Sequence, residues 1–90
     1  MRDCNILLIL GRSHAVKILA ALADKPRRFV ELEEFCKSNR TRAERLKELE
    51  QNGLIKRKAL ISGKRAYTAY EITSKGREAL SLCRKLLQLE

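Results

Sequence analysis

Between Ser38 and Leu54 the chain reads SNRTRAERLKELEQNGL, and its side chains are those that recognise nucleic acid. Arg40, Arg42 and Arg45 stand with Asn39 and Thr41 in the first half of this stretch, and Glu48 and Glu50 in the second. Arginine forks onto two acceptors of guanine, asparagine can pair with adenine, and glutamate can accept from cytosine N4. Ala43, Leu46 and Leu49 recur at helical spacing and predict one inward apolar stripe. Asn39, Arg40, Thr41, Glu44, Arg45 and Lys47 are then expected on the outward side. Arg42 falls near the apolar side, where it could reach a phosphate or pair with Glu33 or Glu34. Ser38 or Asn39 suits the helix start, because a short side-chain oxygen accepts from an otherwise unpaired N–H. Gly53 suits its end, since glycine takes the left-handed backbone that closes a last turn. The helix between would run roughly 20 Å at 1.5 Å per residue. The competing account is an ordinary solvated charged face.

A second group of cations follows. Lys56, Arg57, Lys58, Lys64 and Arg65 occur with no acid between Glu50 and Glu71. On a hairpin they could lie along phosphates, contacts that position a protein without reading sequence. The whole chain has 20 Lys and Arg against 11 Asp and Glu, a formal net charge of +9. Such an excess favours a polyanionic partner through counterion release. A basic but unengaged surface is the bland alternative. Segregation counts against it, because the acids gather at Glu31–Glu34 and Glu44–Glu50.

The remaining chemistry is sparse. Cys4, Cys36 and Cys83 are odd in number and form no CxxC pair. A disulfide framework is therefore not expected, and a reducing cytoplasm is. Cys36 and Cys83 lie on apolar stripes as packing thiols. Zinc held by His14 and scattered cysteines is disfavoured without closely spaced ligands. There is no Ser/His/Asp grouping, paired catalytic carboxylates, Gly-rich phosphate loop or HExxH, so neither an enzyme nor a cofactor is expected. Ile6–Leu10 is far too short to span a bilayer and lacks the flanks of a signal peptide.

The elements that must position these residues can be taken in order. Asp3 to Leu10 is an apolar turn or two of helix closed by Gly11, and it needs cover on more than one side. Ser13 is the expected cap of a helix from His14 to Ala23, whose Ala15, Ile18, Leu19 and Leu22 make an amphipathic stripe. Asp24-Lys25-Pro26 ends it. Arg27-Arg28-Phe29 is extended, and Val30 to Cys36 is helical with Leu32, Phe35 and Cys36 inward. A tight link, Lys37-Ser38-Asn39, leads into the arginine-bearing helix, which is the helix-turn-helix pattern. Leu54 to Ile61 and Arg65 to Ile72 are predicted strands of a hairpin turning at Ser62-Gly63-Lys64. Thr68, Tyr70 and Ile72 share one face of the second. Thr73 caps a last helix, Ser74 to Leu89, with an apolar stripe of Ala79, Leu80, Cys83, Leu86 and Leu87. Leu82 and Leu89 widen that stripe, which suggests a second buried surface.

With these segments in place, the chain resembles winged helix-turn-helix transcription regulators, most closely the HxlR-type (DUF24) group. The resemblance runs over nearly the whole chain. It covers Cys4, Leu7–Leu22 (LLILGRSHAVKILAAL), Arg27–Leu32 (RRFVEL), Arg45–Arg57 (RLKELEQNGLIKR) and Tyr70–Gly76 (YEITSKG). The chain departs from the family pattern at His14, where tryptophan is usual, and at Arg42, where an apolar residue is usual. A plain Ser-Gly-Lys turn replaces the family's proline-containing wing. The resemblance implies a homodimer held by N- and C-terminal helices on a pseudo-palindromic operator. Some members use the N-terminal cysteine, here Cys4, as a redox sensor, while the residue by itself reads first as a core or interface thiol.

The resulting expectation is an α+β, mainly helical winged helix-turn-helix, with a three-helix core, a β-hairpin wing and terminal dimerisation helices. Residues 1–90 form one domain, divided into an N-terminal helix (1–11), a core (13–72) and a C-terminal helix (73–90). Ile6, Leu7, Leu10, Leu82, Leu86 and Leu89 are the expected dimer contacts. The expected partners are double-stranded DNA and a second copy, with no membrane. Two other readings use the same residues: an architectural DNA binder without a defined operator, and a winged helix that contacts protein. The ratio of specific to non-specific affinity, with its salt dependence, separates them.

Overall fold

A computed structural model describes residues 5–90. The helices are α1 (Asn5–Leu10), α2 (Ala15–Asp24), α3 (Asn39–Gln51) and α4 (Ser74–Leu87). The strands are β1 (Arg27–Arg28), β2 (Ile55–Ser62) and β3 (Arg65–Ile72), in antiparallel order β1-β3-β2. Expectation and structure differ between β1 and α3, where Val30–Glu34 forms a 3₁₀ helix in place of an α-helix. Its inward residues are nevertheless those expected, with Leu32 and Cys36 buried and Phe35 half-buried. The core is one cluster in which Ile18, Leu19 and Leu22 of α2 meet Leu32, Leu46, Leu49, Leu54, Ile55, Ile72 and Leu80.

Local chemistry sets most boundaries. The Ser38 hydroxyl accepts from the Thr41 N–H at 3.2 Å and starts α3, as expected of a short polar cap. Gly53, at φ 73°, ends it, and Gly63, at φ 63°, supplies the turn of the β2–β3 hairpin. Thr73 does two things. Its Oγ1 accepts from the Gly76 N–H at 3.0 Å to cap α4 and donates to the Gly53 carbonyl at 2.6 Å. The end of α3 is thereby fastened to the start of α4. Gly76 completes that joint, since a Cβ there would collide with the Leu54 carbonyl and the Ile72 side chain. The Tyr70–Gly76 segment is therefore a mechanical fastening.

Three further details depart from expectation. Ser13 does not cap α2; His14 occupies that position in the left-handed region at φ 67°, without a side-chain cap. On α3 the buried residues are Arg42, Arg45, Leu46 and Leu49, while Ala43 is exposed. The helix is rotated by one residue from the stripe drawn through Ala43, because two arginines find internal acceptors. On β3, Thr68, Tyr70 and Ile72 share one face as expected, and Ala69 on the other face is fully buried. The small Ala69 lies directly opposite Arg28 on one side and Lys58 on the other, both longer than itself. Finally, α4 ends at Leu87. No helix among the described residues is long and apolar enough to cross a membrane.

Candidate nucleic-acid interface

The arginines of α3 divide into two kinds. Arg42 is 1% exposed. Its Nε donates to the Cys36 carbonyl at 2.9 Å, and its Nη atoms donate to the carbonyls of Phe29 (3.3 Å) and Lys37 (3.2 Å). Its guanidinium also stacks 4.6 Å from the centre of the Phe29 ring. Neither Glu33 nor Glu34 nor a phosphate is needed to satisfy it. Partially negative carbonyl oxygens accept from each of its three nitrogens around the planar fork, which a lysine could not do. Arg42 thus ties the link preceding α3 to the helix itself.

Arg45 makes the corresponding fastening on the other side. Its Nε donates to the Ser13 carbonyl at 2.8 Å, and one Nη reaches Glu48 at 3.2 Å. Glu48 also accepts from Arg12 at 2.7 Å. The α1–α2 junction is thus held on α3 by a short charge network. Arg45 was expected on the outward face. It turns inward because the left-handed residue His14 leaves the Ser13 carbonyl facing α3.

With Arg42 and Arg45 buried, the exposed stripe of α3 is Arg40, Ala43, Glu44, Lys47 and Gln51, flanked by exposed Asn39 and half-buried Thr41. These five positions follow the helical period of three and four. The Arg40 side chain is 91% exposed and donates to Glu44 at 3.3 Å, one turn along. Sequence reasoning missed Ala43 and Gln51. A methyl group can meet thymine and glutamine can pair with adenine, so both belong to a reading face. The missed signal was a helical period counted from Arg42, which hydrophobicity alone does not suggest.

The hairpin divides its cations by strand alternation. Ile55, Arg57, Ala59 and Ile61 share one face with their partners Ile72, Tyr70, Thr68 and Ala66. Arg57 bonds Glu50 of α3 at 3.2 Å, so this is the face turned toward α3. Lys56 and Lys58 lie on the opposite face and share Glu71, at 3.3 and 3.4 Å. Partial burial tends to raise the Glu71 pKa, but the hydrogen bonds and charges of the two lysines outweigh it and hold the carboxyl below its ordinary value. The two acids that bound the basic run in sequence therefore neutralise part of it in space. Lys64 and Arg65, at the exposed turn, form no ion pair among the described residues.

α1 and α4 leave an apolar ridge. Leu7, Leu82, Leu86 and Leu89 are exposed, and Ile6 and Leu10 are half-buried. Leu8 and Leu87, not among the expected contacts, are also exposed. Cys83 lines the groove between the two helices. Cys4 lies outside the described residues.

Known proteins match this architecture. Residues 9–90 match the sequence model of the HxlR-like helix-turn-helix family. The chain is similar to the transcriptional regulator YodB from B. subtilis in its reduced form, at 30% identity and TM-score 0.82 over 97% of this chain and 90% of that one. It is also similar to a transcriptional regulator homologue from Pyrococcus horikoshii OT3, at 25% identity and TM-score 0.77 over 93% and 87% of the two chains. No protein with a curated description is significantly similar to it. An arginine-anchored helix-turn-helix, a hairpin wing and a match over residues 9–90 agree, and the chain belongs to the HxlR-like helix-turn-helix family of DNA-binding transcription regulators.

Proposed function

We propose that the protein is a sequence-specific regulator that binds a pseudo-palindromic operator as a cytoplasmic homodimer. The observation carrying this is the exposed stripe Arg40, Ala43, Glu44, Lys47 and Gln51 on a helix fastened by two buried arginines. A face held that rigidly can present donors and acceptors in register with base edges. Glu44 argues for sequence readout over general affinity, since a carboxylate on the contact face repels phosphates wherever no cytosine amine meets it. Asn39, Arg40, Thr41, Glu44 and Lys47 are the proposed contacts, joined by Ala43 and Gln51. In the wing, Lys64 and Arg65 contribute as free cations, and Lys56, Arg57 and Lys58 once released from Glu50 and Glu71.

The leucine ridge of α1 and α4 is the proposed dimer surface, through Ile6, Leu7, Leu10, Leu82, Leu86 and Leu89 together with Leu8 and Leu87. Two recognition helices would then enter successive major grooves about 34 Å apart. Cys4 is proposed as a redox-responsive thiol. The relative YodB is described in both a reduced and a diamide-treated form.

The deciding experiment is selection of genomic fragments by the purified protein, followed by titration of the best duplex and a scrambled one at fixed salt. A preference of ~10³ or more is expected, with two half-sites one helical turn apart. Equal affinity for both duplexes would make the protein an architectural binder.

A further inference from the structure

The wing carries a side chain that its charges do not explain. Ile61 is 81% exposed, at the last position but one before the hairpin turn. It lies on the sheet face turned toward α3, where the outer positions are Ala59, Ile61, Ala66 and Thr68, all exposed. No cation stands among these four. The charges are at the tip itself, where Lys64 and Arg65 follow Gly63 and form no ion pair among the described residues. A β-branched side chain is thus held in solvent on a paired strand three residues before Lys64, with Arg65, opposite Ser62, on the other face of the hairpin.

An exposed apolar side chain with two cations at the adjoining turn suits neither a lipid interior nor an apolar protein surface. It suits a polyanion with an apolar cleft, which describes the minor groove between its two phosphate ridges. The reach agrees. Ile55 is buried in the core beneath α3, and Ile61 stands six residues further along β2, about 20 Å at the rise of an antiparallel strand. The minor groove lies half a helical turn from the major groove, roughly 17 Å along the duplex axis.

We propose that Ile61 is a minor-groove wedge: with Lys64 and Arg65 on the flanking phosphates, it presses between base pairs and favours sites that unstack easily there. Apolar wedges of this kind part base steps and kink the duplex, and pyrimidine–purine steps yield most readily. The wing would then select sequence through deformability, at positions where no side chain reads a base edge. This inference rests on the proposed operator-binding role and adds a second source of specificity to it.

The test uses the duplex recovered by selection, with 2-aminopurine replacing adenine at successive steps outside each half-site, and with a fluorophore pair at its ends. The wild-type protein is expected to brighten 2-aminopurine at one step per half-site and to shorten the end-to-end distance. Ile61→Ser should abolish both signals at saturating protein and weaken binding at least about tenfold, the loss of one buried isoleucine. Lys64→Ala with Arg65→Ala should keep the brightening at saturation while flattening the salt dependence. An Ile61→Ser protein that brightens and bends the duplex as the wild type does would overturn the wedge and leave operator binding intact. A wild-type protein that prefers no duplex would overturn the operator role, and the wedge with it.

Discussion

Arg40 and Arg45 occupy one helix five residues apart, and they are expected to fail in opposite ways. Among the described residues Arg40 bonds only Glu44, and a pair so exposed contributes little to stability. Arg40→Ala should therefore weaken operator binding and leave the thermal midpoint near that of the wild type. Arg45→Ala removes the donors to Ser13 and Glu48 and should cost about 1–3 kcal/mol. Differential scanning calorimetry would read this as a fall of about 4–8 °C per kcal/mol for a chain of this size. Equal midpoints for the two variants would mean that Arg45 does not anchor the α1–α2 junction. Arg42→Ala should be more severe, about 3 kcal/mol or more, because it strands the Phe29, Cys36 and Lys37 carbonyls that now share one fork. Arg42→Lys should recover only part of that loss, as an ammonium cannot reproduce the planar geometry. Full recovery in urea titration would show that charge alone suffices there.

At the scale of elements, the two joints that aim α3 and the wing are Thr73–Gly76 and the Glu71 cluster. Gly76→Ala would drive a methyl group into the Leu54 carbonyl, so a loss of about 1–3 kcal/mol or more is expected in chemical denaturation. A near-neutral result would show that the α3–α4 joint can yield. Glu71 gives the wing a pH dependence whose sign follows from its depressed pKa. The folded hairpin binds the Glu71 proton less readily than the unfolded chain does. The contribution is thus complete above the ordinary glutamate value, near 4.3, and is lost as pH falls through the lower folded value. Glu71→Gln should remove that part of the acid limb. An acid limb identical in the variant would show that Lys56 and Lys58 do not hold the carboxylate in solution.

The whole molecule measures 48 × 25 × 25 Å, with a radius of gyration of 13.5 Å against roughly 12 Å for a compact chain of this length. The exposed stripe lies on α3 and a basic hairpin follows it, while exposed leucines concentrate on α1 and α4, where α4 also carries the exposed cations Lys75, Arg77, Arg84 and Lys85. Burying that ridge against a second copy would remove several large aliphatic side chains from water, each contributing about 1.5–3 kcal/mol when fully covered. Leu82→Glu with Leu86→Glu should therefore convert a sedimenting dimer to a monomer and reduce operator binding to that of a single half-site. A variant that still sediments as a dimer would place the interface elsewhere.

Much of this design was legible in the sequence because it depends on neighbours along the chain. The Ser38 and Thr73 caps, the Gly53 and Gly63 backbone conformations, the order of the elements and the basic balance all follow from local rules. The opposite case is the facing of α3. Arg42 is buried because the carbonyls of Phe29, Cys36 and Lys37, on either side of the 3₁₀ segment, converge on it, and Arg45 because Ser13, 32 residues away, offers its own. No periodicity of hydrophobic residues predicts that a cation will turn inward. Burying a charge is costly unless distant acceptors happen to surround it, and only the tertiary structure supplies them. The wing follows the same logic. Its lysines are visible in the sequence, but cross-strand register decides that Lys56 and Lys58 meet Glu71 while Lys64 and Arg65 remain free at the tip.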